Sequence, residues 1–349
     1  MFEISPKIFF RADADISIGS GHLMRCMALA QAFQQYGAII VFISKCQNGG
    51  LRDRIEQEGF QMIQLKHQHP SPVDIQRTIT EINIYAPDKG CWVIVDGYHF
   101  DDEYHQAILA NGNHLLVIDD SQQDRYPSPN ILLNQNIGSE KMIIEAHAKK
   151  KYLLGTEYTL LRNEIKVNRV NKAIPVQARN ILVTFGGSDQ HNVTGLVLRS
   201  LNNITDIRMN VRIILGADNV HGEEISEITK KSSHFCTILE SVENMGELMS
   251  WSDMAISASG STSWEMAHIG LPFILIVTAS NQIDIAKGLE EDGCAINMGW
   301  FHNILIDELS NVIEELIEDE KKRRMLSEKC KKLVDGFGRD RVVKAMLSY

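Results

Sequence analysis

Three glycine-rich segments carry the residues of this sequence that are best suited to chemistry. They are Ile18–His22 (IGSGH), Gly186–Asp189 (GGSD) and Ser257–Glu265 (SASGSTSWE). Each follows a short apolar run and precedes a helical pattern. Glycine lets the backbone turn sharply and approach a ligand, and a helix N-terminus presents N–H groups and a positive dipole end to an anion. The segments are therefore candidate anion-binding turns.

The first segment adds a histidine to its glycines. His22 lies at the predicted helix start, where a cationic imidazole is disfavoured, and a neutral imidazole can act as a base. A histidine that only caps the helix is the alternative. Met24 stands where a dinucleotide fingerprint has its third glycine, and no Lys-Ser/Thr pair follows, so this is neither that fingerprint nor a P-loop.

The second segment places Gly186 and Gly187 at a strand end, where their amides can face a diphosphate. The alternative is a tight turn in which Ser188 or Asp189 caps the following helix.

The third segment combines small hydroxyl residues with a glycine and a carboxylate. Backbone N–H and side-chain O–H groups of such a segment can bind a phosphate together, and Glu265 can accept hydrogen bonds from both hydroxyls of a ribose. The hydroxyl-bearing candidates and their glycine are Ser259, Gly260, Ser261 and Thr262. Serines at 257 and 261 exclude the G-x-S-x-G elbow of serine hydrolases.

Weaker candidates follow other strands. Asp119 and Asp120 end one predicted strand and can orient a base, bind a metal, or only form a turn. The hydroxyl of Tyr98 can face a ligand or only cover the edge of the core. His67 and His69 are expected to be solvated loop residues and not a metal site.

Short apolar runs alternate with helical patterns, which predicts parallel sheets covered on both faces. Strands are predicted at 7–12, 38–44, 92–95, 115–118 and 131–134, the last of the first half, and at 180–185, 211–215, 253–257 and 273–277. The main predicted helices are 22–36, 51–58, 193–201, 262–269, 309–317 and 321–334, and the chain after 277 is expected to be helical.

The predicted fold class is therefore α/β, with two Rossmann-like domains facing a cleft. Residues 1–165 form an N-terminal domain with the base loop, 166–178 a linker, 179–335 a C-terminal nucleotide-binding domain, and 336–349 a helical tail. Ligands bind beyond the carboxyl ends of parallel strands, so the glycine-rich loops of both domains are expected to line the cleft.

Composition and net charge argue against several classes of protein. The chain has 349 residues, of which 44% are hydrophobic and 23% charged, and no apolar stretch reaches the ~18–20 residues of a membrane span. Six dispersed cysteines and no secretory leader favour a cytoplasmic protein, and a net charge of −10 argues against nucleic-acid binding. Residues 321–344 carry ten Lys/Arg residues, which indicate a solvated helix face or a polyanion patch. We expect a monomer.

The sequence resembles the hydrolases of the pseudaminic acid pathway that remove UDP from UDP-2,4-diacetamido-2,4,6-trideoxy-β-L-altropyranose, and the related spore-coat polysaccharide proteins. The segments that carry this resemblance are FRADADISIGSGHLMRCMALA (10–30), VDGYHFDD (95–102), VIDD (117–120), LLNQN (132–136), LLGTEYTLLRNE (153–164), ILVTFGGSDQHNVT (181–194) and MGELMSWSDMAISASGSTSWEMAHIGLPFILIVTASNQ (245–282).

The resemblance implies a fold similar to GT-B glycosyltransferases, a UDP-sugar substrate and His22 as the general base. It implies that Glu265 holds the ribose and that residues 259–263 and 186–188 hold the diphosphate. Residues expected near the sugar or nucleotide are Gly19, Ser20, Gly21, Tyr98, Arg162, Asn281 and Gln282. Ser280 stands where the family usually has Asp, which puts the sugar contacts of that loop in question. Asp13, close in sequence, is expected to orient His22.

The expected reaction is attack of water on the anomeric carbon with inversion, which releases UDP and needs no metal or cofactor, because diphosphate is already a good leaving group. Two alternatives remain open: a GT-B glycosyltransferase acting in surface polysaccharide synthesis, and a UDP-sugar binding protein without catalysis.

Overall fold

Short strands and helices alternate along the chain in the computed structural model, which describes residues 5–15, 18–121, 126–142, 150–169, 172–216, 218–240, 242 and 244–349. Residues 16–17 of the first predicted loop and 170–171 of the predicted linker lie outside this range. The contacts between residues divide the chain into two units, 1–162 with 336–349, and 163–335.

The strands are β1 (Lys7–Ala12), β2 (Ile39–Ser44), β3 (Gln61–Gln64), β4 (Trp92–Asp96), β5 (His114–Ile118), β6 (Ile131–Asn134), β7 (Lys151–Leu154), β8 (Asn180–Thr184), β9 (Asn210–Leu215), β10 (Phe235–Glu240), β11 (Met254–Ala258), β12 (Phe273–Val277) and β13 (Ile296–Trp300).

The α-helices are α1 (Gly21–Gln34), α2 (Gly49–Gln57), α3 (Pro72–Tyr85), α4 (Asp102–Ala110), α5 (Asn163–Val167), α6 (Val193–Asn202), α7 (Gly222–Lys230), α8 (Met245–Trp251), α9 (Thr262–Ile269), α10 (Ile283–Glu291), α11 (Ile306–Glu318), α12 (Glu320–Leu333) and α13 (Gly338–Leu347).

The first unit holds a parallel sheet in the order β3-β2-β1-β4-β5-β6-β7. β1 pairs with both β2 and β4, so the strand order reverses between β1 and β4, where Ala12 lies beside Asp96. The central strands β2 and β4 are apolar up to their last residues, Ser44 and Asp96, because helices cover both faces of the sheet. Leu23 and Phe33 of α1 pack in the core of one face, and Ile82 of α3 and Ile108 of α4 pack in the core of the other.

The second unit repeats this arrangement with the order β10-β9-β8-β11-β12-β13, also parallel. Its strand order reverses between β8 and β11. Val197 of α6 and Ile313 of α11 pack on the sheet in one continuous core. The two parallel sheets confirm the predicted α/β class with two Rossmann-like units.

The C-terminal segment belongs to the first unit. Val342, Val343 and Met346 of α13 are buried in the same core as α1, and Arg339 Nη1 donates to the carbonyl oxygen of Leu161 at 3.0 Å. A Cβ added at Gly338 would overlap the backbone of Thr159, so the start of α13 packs closely against the chain that precedes the boundary. The division between the units falls after Arg162, three residues before the predicted boundary at 165.

Several edge strands were not predicted. The prediction that 131–134 is the last strand of its half is wrong, because β7 pairs with β6. The prediction that the chain after 277 is helical is wrong at β13, which pairs with β12. These edge strands bury fewer side chains than the central ones, so they lack the continuous apolar run that marks a buried strand. Among the described residues, no helix is both long and apolar enough to cross a membrane.

Candidate active site

The glycine-rich segments lie where the strand order of each sheet reverses. The first segment follows β1, whose neighbour β4 ends at Asp96. The second and third segments follow β8 and β11, which are the corresponding pair of the second sheet. Such reversal points leave a crevice beyond the carboxyl ends of the strands, and open α/β sheets bind their ligands there. Each unit therefore presents one candidate site built from its own loops.

In the first unit, His22 contacts a buried carboxylate. His22 is the second residue of α1 and is 7% exposed, and its Nδ1 lies 2.6 Å from Oδ1 of Asp96. Burial raises the pKa of Asp96, but the Arg25 guanidinium and His22 outweigh it and hold this pKa at about 2. Because an ionised carboxylate only accepts hydrogen bonds, Nδ1–H is the donor, and in the neutral ring Nε2 keeps its lone pair.

The prediction that Asp13 orients His22 is wrong, because the Asp13 carboxylate has other partners. Its Oδ1 accepts from Arg11 Nη1 at 2.5 Å and from the Lys45 amide at 2.7 Å, and its Oδ2 lies 2.9 Å from His99 Nε2. Burial raises the pKa of Asp13, but the hydrogen bond from His99 and the charge of Arg11 lower it to about 2. Asp13 thus ties the loop after β1 to the end of β2 and to His99.

Arg25 links His22 to a second carboxylate. Its Nε and Nη2 donate to the two oxygens of Asp96 at 2.5 and 2.6 Å, and its Nη1 donates to Asp120 at 2.7 and 2.9 Å. Sequence reasoning missed both Arg25 and Asp96. The available signal was the i, i+3 spacing of His22 and Arg25, which places both on one face of α1. Aspartates at the end of β4 and directly after β5 were the available partners.

Tyr98 lies beside His22. It is 47% exposed, its ring meets the His22 ring edge-on with centroids 5.0 Å apart, and its hydroxyl donates to Asp120 at 2.8 Å. Of the two predicted positions for Tyr98, the structure therefore favours the one at the site.

The loop before His22 is shaped for close approach of a ligand. Gly19 has a φ of +75°, a conformation that favours glycine, and among the described residues no atom beyond its chain neighbours lies within 4 Å of where its Cβ would be. Ser20 is the N-cap of α1 and forms no side-chain capping bond, and Gly21 is the first residue of the helix. The first amides of α1 are thus presented next to the His22 side chain.

In the second unit, the Gly186–Gly187 turn is held by a close backbone approach. Gly186 has a φ of +80°, and a Cβ added at Gly216, directly after β9, would overlap the backbone of Gly187. Asp189 accepts from the amides of Val193 and Thr194, both at 2.9 Å. Asp189 thus holds the first two amides of α6 from the preceding turn, but the N-cap of that helix is Asn192 and not the predicted Ser188 or Asp189. Ser188 stays a predicted nucleotide contact.

The third segment forms the start of α9. Ser261 is the N-cap without a side-chain capping bond, Thr262 is the first helical residue, and Glu265 lies in the first turn. No atom of the described residues beyond its chain neighbours lies within 4 Å of the Cβ position of Gly260. Ser259 Oγ donates to the carbonyl oxygen of Gln282 at 3.2 Å, which joins this segment to the turn after β12.

The Asn281–Gln282 pair lies in that turn. Gln282 Oε1 accepts from the Thr278 amide at 2.9 Å and from its hydroxyl at 3.2 Å, so the Gln282 side chain holds its own loop. Asn281 lies in the 3₁₀ turn Ser280–Gln282. Arg162 is buried, at the last position before the second unit. For these residues ligand binding stays a prediction.

The remaining candidates have local roles. His69 Nε2 lies 3.2 Å from Asp101, and its ring packs edge-on against Tyr104. Asp119 accepts from the Ser121 hydroxyl at 2.6 Å and its amide at 3.2 Å. Within the described ranges, no group of three or more His, Cys, Asp or Glu residues is placed to hold a metal ion.

Comparisons with known proteins agree with this architecture. Residues 180–337 match the glycosyltransferase family 28 C-terminal domain. The chain is 27% identical over 279 residues to the uncharacterized protein MJ1062 of Methanocaldococcus jannaschii, covering 77% of this chain and 55% of that protein, so it spans about half of that relative's length.

Two further relatives are covered almost completely. The spore coat polysaccharide biosynthesis protein SpsG of Bacillus subtilis is 25% identical over 333 residues, which cover 95% of each chain. The UDP-2,4-diacetamido-2,4,6-trideoxy-β-L-altropyranose hydrolase of Campylobacter jejuni is 23% identical over 295 residues, covering 82% of this chain and 97% of the hydrolase.

Solved structures share the fold at low identity. MurG of Acinetobacter baumannii superposes with a TM-score of 0.66 at 14% identity, covering 99% of this chain and 100% of MurG. MnaA of S. aureus, solved with UDP, gives a TM-score of 0.66 at 13% identity, covering 97% and 95% of the two chains. The chain thus has two parallel-sheet α/β domains and the fold of GT-B glycosyltransferases.

Proposed function

We propose that this protein hydrolyses a UDP-activated 2,4-diacetamido-2,4,6-trideoxyhexose to the free sugar and UDP, with inversion at the anomeric carbon, as a step of nonulosonic acid synthesis. The observation that carries the proposal is the contact between His22 and Asp96 where the strand order of the first sheet reverses. The name of the Campylobacter jejuni relative supports the substrate and the reaction.

In this proposal the second unit binds the nucleotide. The amides of Gly186, Gly187 and Ser188 and the start of α9 bind the diphosphate, and Glu265 binds the ribose hydroxyls. The match of residues 180–337 to the family 28 C-terminal domain supports this assignment. So does the open space at the Cβ positions of Gly187 and Gly260, which no described atom beyond their chain neighbours approaches within 4 Å. Backbone amides at these positions stabilise the negative charge that develops on the departing diphosphate.

The first unit supplies the base. Asp96 accepts the Nδ1 proton of His22, so Nε2 is available to take a proton from water as that water attacks the anomeric carbon. The bond between the anomeric carbon and the UDP oxygen breaks through an oxocarbenium-like state. A glycosidase needs a second carboxylate as acid because its leaving group is poor. UDP leaves as a stabilised anion, so one base suffices, and we propose that no metal or cofactor takes part.

Release of UDP, with the sugar product followed by NMR, tests the proposal in a mixture of protein and UDP-linked 2,4-diacetamido-trideoxyhexose with EDTA and without an acceptor. We expect prompt release of UDP and a free sugar of inverted configuration. His22→Ala should lower turnover by about 10²–10⁴-fold, the usual contribution of a general base, and should keep UDP binding. His67→Gln, which changes an exposed histidine of the same unit, is the matched control.

A glycosyltransferase is the second candidate, and the family 28 match favours it. It would use the same nucleotide loops and base on an alcohol instead of water. UDP binding without release in water, followed by release when an alcohol acceptor is added, would support this candidate over hydrolysis. A binding protein without catalysis would release no UDP in either mixture. Such a protein would not need the His22–Asp96 contact.

A further inference from the structure

In the described part of the first unit, two clusters of largely buried side chains have the same composition. In each, one arginine lies between two aspartates, and one of these aspartates also contacts a histidine. The base cluster is Arg25 with Asp96, Asp120 and His22, and the second cluster is Arg11 with Asp13, Asp74 and His99. Only the base cluster includes the residue proposed to take a proton from water. The second cluster therefore offers an internal control.

Asp120 is held by three partners. Its oxygens accept from Arg25 Nη1 at 2.7 and 2.9 Å, Oδ1 also accepts from Asn136 Nδ2 at 3.1 Å, and Oδ2 accepts from the Tyr98 hydroxyl at 2.8 Å. Tyr98 in turn packs edge-on against His22. Asp120 is thus connected to the His22 ring on two sides, through Arg25 and through Tyr98.

Arg25 offsets part of the negative charge beside His22. Among the described residues, Asp96, Arg25 and Tyr98 contact the ring. Asp120 contacts Arg25, and the Sγ of Cys26 lies 3.8 Å from Asp96 Oδ2. These groups come from α1, β4 and the segments after β4 and β5. Burial, with the charge of Asp96, raises the pKa of Cys26, so the thiol stays neutral. Burial also raises the pKa of Asp120, but Arg25 outweighs it, so the pKa is lowered and the carboxylate is ionised.

Among the described residues of the base cluster, one cation, Arg25, therefore faces two anions, Asp96 and Asp120. Asp96 alone would be offset by Arg25 and would do little to stabilise a protonated ring. The second carboxylate restores one net negative charge in a region shielded from water, where the effective dielectric constant is low and charges act strongly on one another.

We propose that Asp120 and Arg25 are positioning residues that set, in opposite directions, how strongly the His22 ring holds a proton. Asp120 favours the protonated ring and Arg25 disfavours it. For its catalytic consequence this inference rests on the proposed function, because the ring must accept a proton from water and later lose it.

The test is the titration midpoint of the His22 ring, followed by ¹H–¹³C NMR on the full chain without substrate. The His22 signal is assigned by its absence in His22→Gln. Asp120→Asn keeps the size of the side chain and removes its charge, so we expect the midpoint to move to lower pH by roughly one unit, the order of one charge acting across a partly buried site. Arg25→Met should move it to higher pH.

Asp74→Asn is the matched control, since it removes a carboxylate from the second cluster and leaves the base cluster intact. We expect the His22 midpoint to stay in place in this variant. Circular dichroism of each variant reports whether it folds. If Arg25→Met does not fold, the His22 midpoint in Asp120→Asn is by itself the test of the inference.

An unchanged midpoint in folded Asp120→Asn, or an equal shift in Asp74→Asn, would overturn the inference. The titration needs no substrate, so it stands or fails separately from the proposed hydrolysis. If hydrolysis occurs, the acid limb of the profile of kcat/KM against pH should move in Asp120→Asn by the same amount as the His22 midpoint. A lower activity in this variant with the acid and basic limbs at unchanged pH would show that Asp120 is only structural.

Discussion

His22 and Asp96 come from the two strand ends at which the order of the first sheet reverses, and their side chains meet with 2.6 Å between Nδ1 and Oδ1. His22 begins α1 after β1, and Asp96 is the last residue of β4. The polarity of the contact follows from Arg25, which keeps the carboxylate ionised and so makes the imidazole the donor. Nδ1 of the ring therefore donates to Asp96, and Nε2 keeps the lone pair that can accept a proton.

Asp96→Asn is expected to lower turnover by about 10²-fold or more, because the amide no longer favours the tautomer with a proton on Nδ1. The effect should not add to that of His22→Ala, since both changes disable the same base. Single-turnover rates of the two single variants and the double variant measure this. A double variant slower than His22→Ala by the full factor of Asp96→Asn would contradict the assignment.

The sequence predicted the central elements well because their apolar runs are continuous. The helix 262–269 and the strands 7–12, 131–134 and 273–277 agree with the structure to the residue. The glycine-rich loops were therefore placed correctly at strand ends. The edge strands β3, β7, β10 and β13 were missed because their side chains are only partly buried, and a mixed pattern does not distinguish a strand from a loop.

The partner of His22 could not be predicted in the same way. Asp96 is 74 positions away in sequence, and it lies beside His22 because β4 pairs with β1. Local sequence patterns do not reveal such a long-range strand pairing. The sequence predicts Asp13 as the partner because it is close to His22 along the chain. Its neighbour in the strand, Arg11, is fully buried and needs carboxylate partners, so it engages Asp13 instead.

Glu265→Gln is expected to raise KM for the UDP-sugar by roughly 10–100-fold with a smaller effect on kcat. Hydrogen bonds to a charged group contribute about 1.5–3 kcal/mol, and the ribose is remote from the bond that breaks. Glu247→Gln, in the first turn of α8 of the same unit, is the control and should leave KM unchanged. Steady-state kinetics of the two variants test this prediction. A fall in kcat at constant KM in Glu265→Gln would indicate that Glu265 acts in catalysis and not in nucleotide binding.

Gly216→Ala tests the support of the Gly186–Gly187 turn. The added methyl group would overlap the backbone of Gly187, so the turn must shift. We expect the affinity for UDP to fall by about 10-fold or more, since overpacking costs about 1–3 kcal/mol and the displaced amides no longer match the diphosphate. Gly222→Ala should bind UDP normally, because the space at the Cβ position of residue 222 is open: in the described part of the chain no atom beyond the neighbouring residues lies within 4 Å of the new Cβ. Calorimetric titration with UDP measures both, and equal affinities would exclude the turn from the binding site.

Stability should fall in mild acid because His105 is buried in its neutral form. Among the described residues neither ring nitrogen of His105 has a hydrogen-bond partner, and its ring packs edge-on against Tyr126 at 4.8 Å. Burial lowers the pKa of His105 to about 4, although Asp102 and Asp101 oppose this shift. The unfolded chain binds the proton near the ordinary pKa of about 6.5, so the contribution is complete above that pH and is lost as pH falls to about 4.

The free energy of unfolding should therefore decrease by at most about 3 kcal/mol over this pH interval on account of His105. His105→Phe keeps an aromatic ring and removes the titration, so its denaturant midpoints should depend less on pH between 6.5 and 4 than those of the unmodified chain. His67→Gln removes an exposed histidine and should keep the original dependence. Asp96 and Asp13, whose pKa values are held at about 2, lose their contribution only below about pH 4, so the two windows separate. Parallel curves for His105→Phe and the unmodified chain above pH 4 would show that this ring is protonated equally in both states.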